Sequence, residues 1–174
     1  MFDMNTLLEK IRKVPDFPKE GILFYDLTTV FQDPVEFGNI IEAMCEPFQR
    51  QKIASVCSIE ARGFILGSAI ANELGAGFVP IRKSGKLPSK KHSHTYSLEY
   101  GEDTLEIHED AIQAGQKVII VDDLLATGGT AQASVELVKK CGGEISGLSF
   151  VIELKDLKGR DKISQYPLYT LASV

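Results

Sequence analysis

Hydrophobic and polar positions along the chain fall into two rhythms. Short, nearly unbroken apolar runs recur at Ile53 to Cys57, Phe78-Val79-Pro80-Ile81, Val118-Ile119-Ile120-Val121 and Ile145 to Leu154. Runs of this length, rich in β-branched residues, predict strands buried on both faces. Between them the apolar positions spread to helical spacing. Leu7, Leu8 and Ile11 give one face to a short first helix, and the prolines at 15 and 18 must end it. Gly21 to Leu27 follows as a short strand or extended loop. Asp33-Pro34-Val35-Glu36 is a helix start, with an N-cap acid, proline at the first helical position and Glu at the third, and the helix should run to about Gln49. Another helix opens around Gly63 and ends near Leu74, with Gly75 as its stop. Ala131, Ala133, Val135, Leu137 and Val138 mark a third, stopped by Gly142 and Gly143. Alternation over Tyr96 to Gly101, and again over Thr104 to His108, predicts two paired strands turning at Gly101 to Asp103. Leu168 to Leu171 suits a last edge strand. Strands alternating with helices predict an α/β fold, a parallel sheet flanked by helices, with ligands beyond the carboxyl ends of its strands.

Composition narrows the function classes. A chain of 174 residues suits one domain, 1–174, and 44% hydrophobic with 25% charged residues is an ordinary globular balance. No apolar run reaches membrane length, and the N-terminus lacks the apolar core of a signal peptide, so neither membrane nor export is expected. Cys45, Cys57 and Cys141 are odd in number and lack metal-ligand spacing, which reads as reduced thiols in a cytoplasmic protein. A net charge of −5 argues against nucleic acid. An anionic substrate would then need a local basic cluster, and Arg82, Lys83, Lys86, Lys90 and Lys91 supply one. The Gly, Pro and Ser content from Arg82 to His92 predicts a flexible lid loop. Lys90 and Lys91 read as solvated charges, and His92 and His94 as solvent-facing loop histidines.

The chemistry concentrates in Val118 to Thr130. A buried strand ends in Asp122 and Asp123, a loop Ala126-Thr127-Gly128-Gly129-Thr130 follows, and a helix begins. Glycines let backbone N–H groups approach an anion, and the helix start adds its dipole. Thr127 and Thr130 add hydroxyl donors, so a phosphate monoester fits. The two carboxylates would repel a phosphate but accept hydrogen bonds from vicinal sugar hydroxyls. Together these imply a ribose 5-phosphate. The loop is not a Walker loop, because no Lys follows the second glycine, and it lacks the spacing of a dinucleotide fold.

Val118 to Thr130 resembles the phosphoribosyl-pyrophosphate motif of type I phosphoribosyltransferases, and its wording, Val-Asp-Asp-Leu-Leu-Ala-Thr-Gly-Gly-Thr, is similar to that of the adenine-using members. Similarity extends from Asp16 to about Ile163. It covers Glu60-Ala61-Arg62-Gly63-Phe64, Gly85-Lys86-Leu87-Pro88, Tyr96-Ser97-Leu98-Glu99-Tyr100-Gly101 and Glu153 to Arg160. The resemblance implies the type I phosphoribosyltransferase fold, with residues 1–30 as a small N-terminal hood. It implies transfer of ribose 5-phosphate from phosphoribosyl pyrophosphate to adenine, giving AMP and diphosphate. It assigns Ala126 to Thr130 to the 5-phosphate and Arg62, Lys83 and Lys86 to pyrophosphate. Asp122 and Asp123 go to the ribose, with Glu99 handling a purine proton and Tyr100 beside it. Leu23, Phe24 and Tyr25 of the hood and Leu154 enclose the base. Family members often carry Arg where Tyr25 stands. Mg²⁺ would be held mainly through the substrate rather than by a protein site, and a homodimer is implied by the resemblance alone. Plainer readings stand beside these: Phe24 as core, Arg62 as a surface residue paired with Glu60, Glu99 as a solvent-facing strand residue. Other purines (hypoxanthine, guanine or xanthine) and a non-catalytic phosphoribosyl-pyrophosphate-binding regulator are the alternative functions.

Overall fold

The computed structural model describes residues 4–97 and 101–174. Its elements are α1 (Met4–Lys10), β1 (Arg12–Pro15), β2 (Leu23–Asp26), α2 (Thr28–Phe31), α3 (Pro34–Cys45), β3 (Ser55–Ile59), α4 (Gly63–Leu74), β4 (Gly77–Lys83), β5 (Lys91–Ser97), β6 (Glu102–His108), β7 (Lys117–Leu125), α5 (Gly129–Lys140), β8 (Glu144–Glu153) and β9 (Leu168–Ser173), with 3-10 turns at Glu46–Phe48, Lys155–Leu157 and Gly159–Ile163. Seven strands form one sheet in the order β5-β6-β4-β3-β7-β8-β9. From β4 through β9 all neighbours are parallel, while β6 runs antiparallel to both β4 and β5. The sheet is therefore mixed rather than wholly parallel. Two strands pair across this region, but not in the expected register: β6 begins at Glu102, inside the expected turn, and residues 104–108 pair with 91–95, so the hairpin starts earlier in the chain and extends one edge of the parallel core.

The unbroken apolar run of β7 has a simple cause. Ile119 and Val121 pack with α1, α3 and α4, while Val118 and Ile120 pack with α5 on the opposite face. Side chains alternate across a strand, so covering both faces removes every polar position. Each fully buried Val or Ile there contributes roughly 1.5–3 kcal/mol. β3 repeats the pattern with two exceptions, Ser55 at its start and Ser58, which donates its buried hydroxyl to Gly63 O at 2.6 Å, with Val121 O at 3.2 Å. Satisfying that hydroxyl lets β3 extend through Ser58 and Ile59, beyond the expected Ile53 to Cys57.

Other boundaries moved for equally local reasons. At the N-terminus of α3, Asp33 accepts from Val35 N and Glu36 N at 2.9 and 3.2 Å, as the cap signature predicts. The helix stops at Cys45 rather than near Gln49, because Pro47 lacks the N–H that another α turn needs, and a 3-10 turn takes over. After α1 the chain makes a two-stranded hairpin, β1 against β2. Asp16 Oδ1 accepts Gly21 N at 2.7 Å within its loop, and Phe17 meets Phe24 edge-on at 5.1 Å.

The basic lid is the largest departure. Only Ser84 to Lys90 lies outside strands, because β5 begins at Lys91. Lys91 is not a free solvated charge: its Nζ lies 3.1 Å from the buried Glu106. That carboxylate also accepts Ser84 Oγ at 3.1 Å and Gly85 N at 3.0 Å, so it ties down the start of the loop. His92 and His94 are half-buried residues of β5, not loop histidines.

Helix α4 seats on β3 through Gly67, where an added Cβ would lie 2.4 Å from both Cβ and Oγ of Ser58. Alanine favours a helix over glycine by about 1 kcal/mol. Overpacking against a fixed strand costs about 1–3 kcal/mol. We expect Gly67→Ala to lower the unfolding free energy in urea by about 1–2 kcal/mol, and an unchanged or higher midpoint would contradict this packing.

Candidate active site

Successive strand ends deliver the polar residues to one edge of the sheet. Beyond β3 come Glu60, Ala61 and Arg62, with a cis peptide between the first two. The end of β4 brings Lys83, β7 ends through Asp122 and Asp123, and Leu154 follows β8. A cleft of about 590 Å³ opens there, and Arg62, Lys83, Asp122, Asp123, Ala126 and Thr130 line it together. It is lined as well by Glu60, Tyr96 and Asp103, which the sequence reading did not assign.

The acid pair is held in a costly place. Asp123 is 5% exposed, and Arg62 Nε lies 2.7 Å from its Oδ2. The guanidinium is not aligned as a hydrogen-bond donor, so this oxygen has no hydrogen-bond partner among the described residues. Asp122 Oδ1 accepts Asp123 N at 2.9 Å. Burial first, and the neighbouring Asp123 charge second, push the Asp122 carboxyl well above the usual carboxylate range. Arg62 also covers the ring of Phe24 at 4.9 Å, so one side chain joins the N-terminal hairpin to the acid pair. The surface pairing of Arg62 with Glu60 does not occur.

Glu60 instead gathers the cations beside the lid. It accepts Arg82 Nε at 3.2 Å, Lys83 N at 3.2 Å and Lys86 Nζ at 2.5 Å. Burial works to raise its pKa, but Lys86 and Arg82 outweigh it and bring it down to about 2. Lys83 Nζ meets Asp103 at 3.3 Å. Across the cleft, Thr130 Oγ1 donates to Tyr96 OH at 3.2 Å. Burial raises the Tyr96 phenol above its ordinary range. Tyr96 and Asp103 are directly opposite in the β5–β6 hairpin, whereas the alternation places Asp103 in the turn, so no sequence signal brings the two together.

The loop after β7 turns at Gly128, whose φ of +76° suits glycine. Gly129 begins α5, and its missing side chain leaves room for the Tyr96 ring, which an added Cβ would meet at 3.1 Å. The first N–H groups of such a helix have no intrahelical acceptor and favour an anion. Thr127 is half-buried between Ala126 and Gly128. Of the remaining expected residues, Lys86 reaches the cleft through Glu60 and Phe24 through Arg62. Leu154 N donates to Leu125 O at 2.9 Å, which sets it beside the loop. Tyr25 packs with Leu124 and Leu154 on the core under the sheet, and Leu23 is 44% exposed on the hairpin. Neither lines the cleft. Glu99 and Tyr100 lie outside the described residues.

A family model, the phosphoribosyl transferase domain, matches residues 30–170. The chain belongs to the phosphoribosyltransferase family. Among curated relatives, the adenine phosphoribosyltransferase of Koribacter versatilis is 56% identical over 167 residues, 96% of this chain and 92% of that one. A crystal structure of adenine phosphoribosyltransferase from Rhodothermus marinus matches with a TM-score of 0.94 at 50% identity, covering 98% of each chain. The Saccharomyces cerevisiae adenine phosphoribosyltransferase, complexed with an imino-altritol bisphosphate and adenine, matches with a TM-score of 0.92 at 44% identity, covering 97% of each chain. The mixed sheet and its flanking helices are thus the type I phosphoribosyltransferase fold.

The raised carboxyl of Asp122 has a sign that can be measured in this phosphoribosyltransferase. A folded-state pKa above the unfolded one adds stability below the unfolded pKa and loses it as pH rises through the folded value. At neutral pH this carboxyl therefore stabilises the fold less than it does in acid. Asp122→Asn keeps an oxygen for Asp123 N and removes the titrating group. We expect it to raise Tm by about 2–6 °C at neutral pH, with the gain disappearing near pH 3. Equal Tm values at both pH values would show that Asp122 carries no such strain.

Proposed function

We propose that the chain is an adenine phosphoribosyltransferase acting in purine salvage. It transfers the 5-phosphoribosyl group of phosphoribosyl pyrophosphate to N9 of adenine and releases AMP and pyrophosphate. The observation that carries this reading is the 56% identity to an adenine-specific relative along nearly the whole chain, together with a buried acid pair and Gly/Thr loop opening on a cationic cleft. Residues 1–174 act as one functional domain, in the cytoplasm and as a homodimer.

In the reaction the C1–O bond to pyrophosphate breaks, the C1–N9 bond forms, and the proton on the purine ring must leave. Ala126 to Thr130 grip the 5-phosphate, whose binding energy orients a group that does not itself react. Asp122 and Asp123 accept the ribose hydroxyls and offset positive charge that develops on the sugar. Arg62, Lys83 and Lys86 receive the departing pyrophosphate, with Glu60 and Asp103 giving up cations as it arrives. The family resemblance gives Glu99 the purine proton and Tyr100 a part beside it. Phe24, joined to the cleft through Arg62, and Leu154 are the candidates for the apolar surroundings of the base, while Leu23 and Tyr25 stand away from the cleft.

Mg²⁺ would enter on the substrate. Among the described residues no group of three or more His, Cys, Asp or Glu side chains could hold a metal ion. The residues that fit beside it are Asp122 and Asp123, whose carboxyl groups line the cleft and could hold water of a hydrated cation. Bound there, the ion would supply charge neutralisation for the leaving pyrophosphate.

Pyrophosphate release from phosphoribosyl pyrophosphate and Mg²⁺ should occur with adenine and not with hypoxanthine, guanine or xanthine. Lys83→Ala should lower kcat/KM by about 10²-fold, the usual loss for one electrostatic contact to a developing anion. Release with another purine alone would move the base specificity. No release with any base, despite phosphoribosyl-pyrophosphate binding, would favour a regulator.

A further inference from the structure

The turn Gly159–Ile163 carries no assigned role, yet it presses on the most important loop of the chain. Gly159 is buried while Lys155 to Lys158 and Arg160 around it are exposed. An added Cβ at Gly159 would lie 2.2 Å from Ala126 O and 2.8 Å from Gly128 N. The contact is reciprocal, since a Cβ at Gly128 would lie 2.4 Å from Gly159 O. Gly128 needs glycine for its positive φ as well, but Gly159 has no positive φ, so space alone demands glycine there. Two peptide segments distant in sequence therefore meet with no side chain between them.

The turn is fixed on both sides. Arg160 grips the buried Glu153 with two bonds, Nε to Oε1 at 2.9 Å and Nη2 to Oε2 at 2.5 Å. Ile163 is fully buried in the cluster formed with α5. Lys158, with a φ of 53°, reverses the chain just before Gly159. Glu153 ends β8, and β8 pairs with β7, the strand that feeds the loop. The clamp thus refers the turn to the same sheet that carries Asp122 and Asp123.

We propose that Gly159 is a positioning residue for the Ala126–Thr130 phosphate loop, held in place by the Arg160–Glu153 pair. This rests on the reading of that loop as the 5-phosphate site. The turn forms the back wall against which the Ala126 and Gly128 peptides lie, so their N–H groups keep one orientation when the phosphate arrives. The same segment begins at Leu154, so it ties the base side of the site to the phosphate side through a short, closed link.

Wild-type protein, Gly159→Ala and Arg160→Lys would be compared by steady-state kinetics, by calorimetric binding of ribose 5-phosphate, and by calorimetric binding of Mg²⁺-pyrophosphate. In Gly159→Ala the KM for phosphoribosyl pyrophosphate should rise at least tenfold with kcat falling less than threefold. Ribose 5-phosphate should bind at least tenfold more weakly, and pyrophosphate within twofold of wild type. Arg160→Lys, which keeps the charge but not the two-bond grip, should lie between. A purely structural role would weaken both ligands alike, and that result, or an unchanged KM, overturns the proposal. Should Gly159→Ala not fold, Arg160→Gln must show the same selective loss, threefold or more, or the proposal fails. Wild-type protein that binds pyrophosphate but not ribose 5-phosphate would instead overturn the 5-phosphate reading, and this inference with it.

Discussion

Everything at the site depends on bringing two adjacent carboxylates to the end of a strand that has no free face. β7 lies between β3 and β8 with helices on both sides, so its end is nearly dry. Charges are expensive in such a place unless paired. Arg62 offsets Asp123 from the end of the neighbouring strand, and the Asp123 N–H serves Asp122. One oxygen still lacks a hydrogen-bond donor. Stability is given up to keep acceptors in a fixed position, the arrangement that the proposed ribose contact would need.

The cations show the same economy. Arg62, Lys83, Lys86 and Lys91 each face a carboxylate: Asp123, Asp103, Glu60 and Glu106. The basic cluster in the sequence is therefore balanced in space by acids distant in sequence. On the proposed function, a diphosphate would not meet a bare positive patch but would exchange partners with carboxylates. Such exchange favours a ligand that offers several charges in one rigid group over scattered monovalent ions.

Much of this was legible before the fold. The branched run Val118 to Val121, its acids and its Gly/Thr loop carried the strand and the family in one stretch. Asp33-Pro34 and Gly75 marked helix ends because their signals are local. What escaped notice was set by pairing between distant segments. Nothing near Lys91 in sequence announces Glu106, and nothing near Gly128 announces Gly159. The hood hairpin escaped because its strands are short and prolines dominate the pattern there.

The hairpin that makes the sheet mixed also decides which strand ends up outermost. Without it, the carboxyl end of β4 would be an edge, offering the hydrogen-bonding groups of Arg82 and Lys83 to a passing strand. With it, the outermost position there falls to β5, whose Lys91, His92, Ser93, His94 and Thr95 are poor material for edge-to-edge association. An element that frames the cleft thereby also blunts the edge of the sheet beside it.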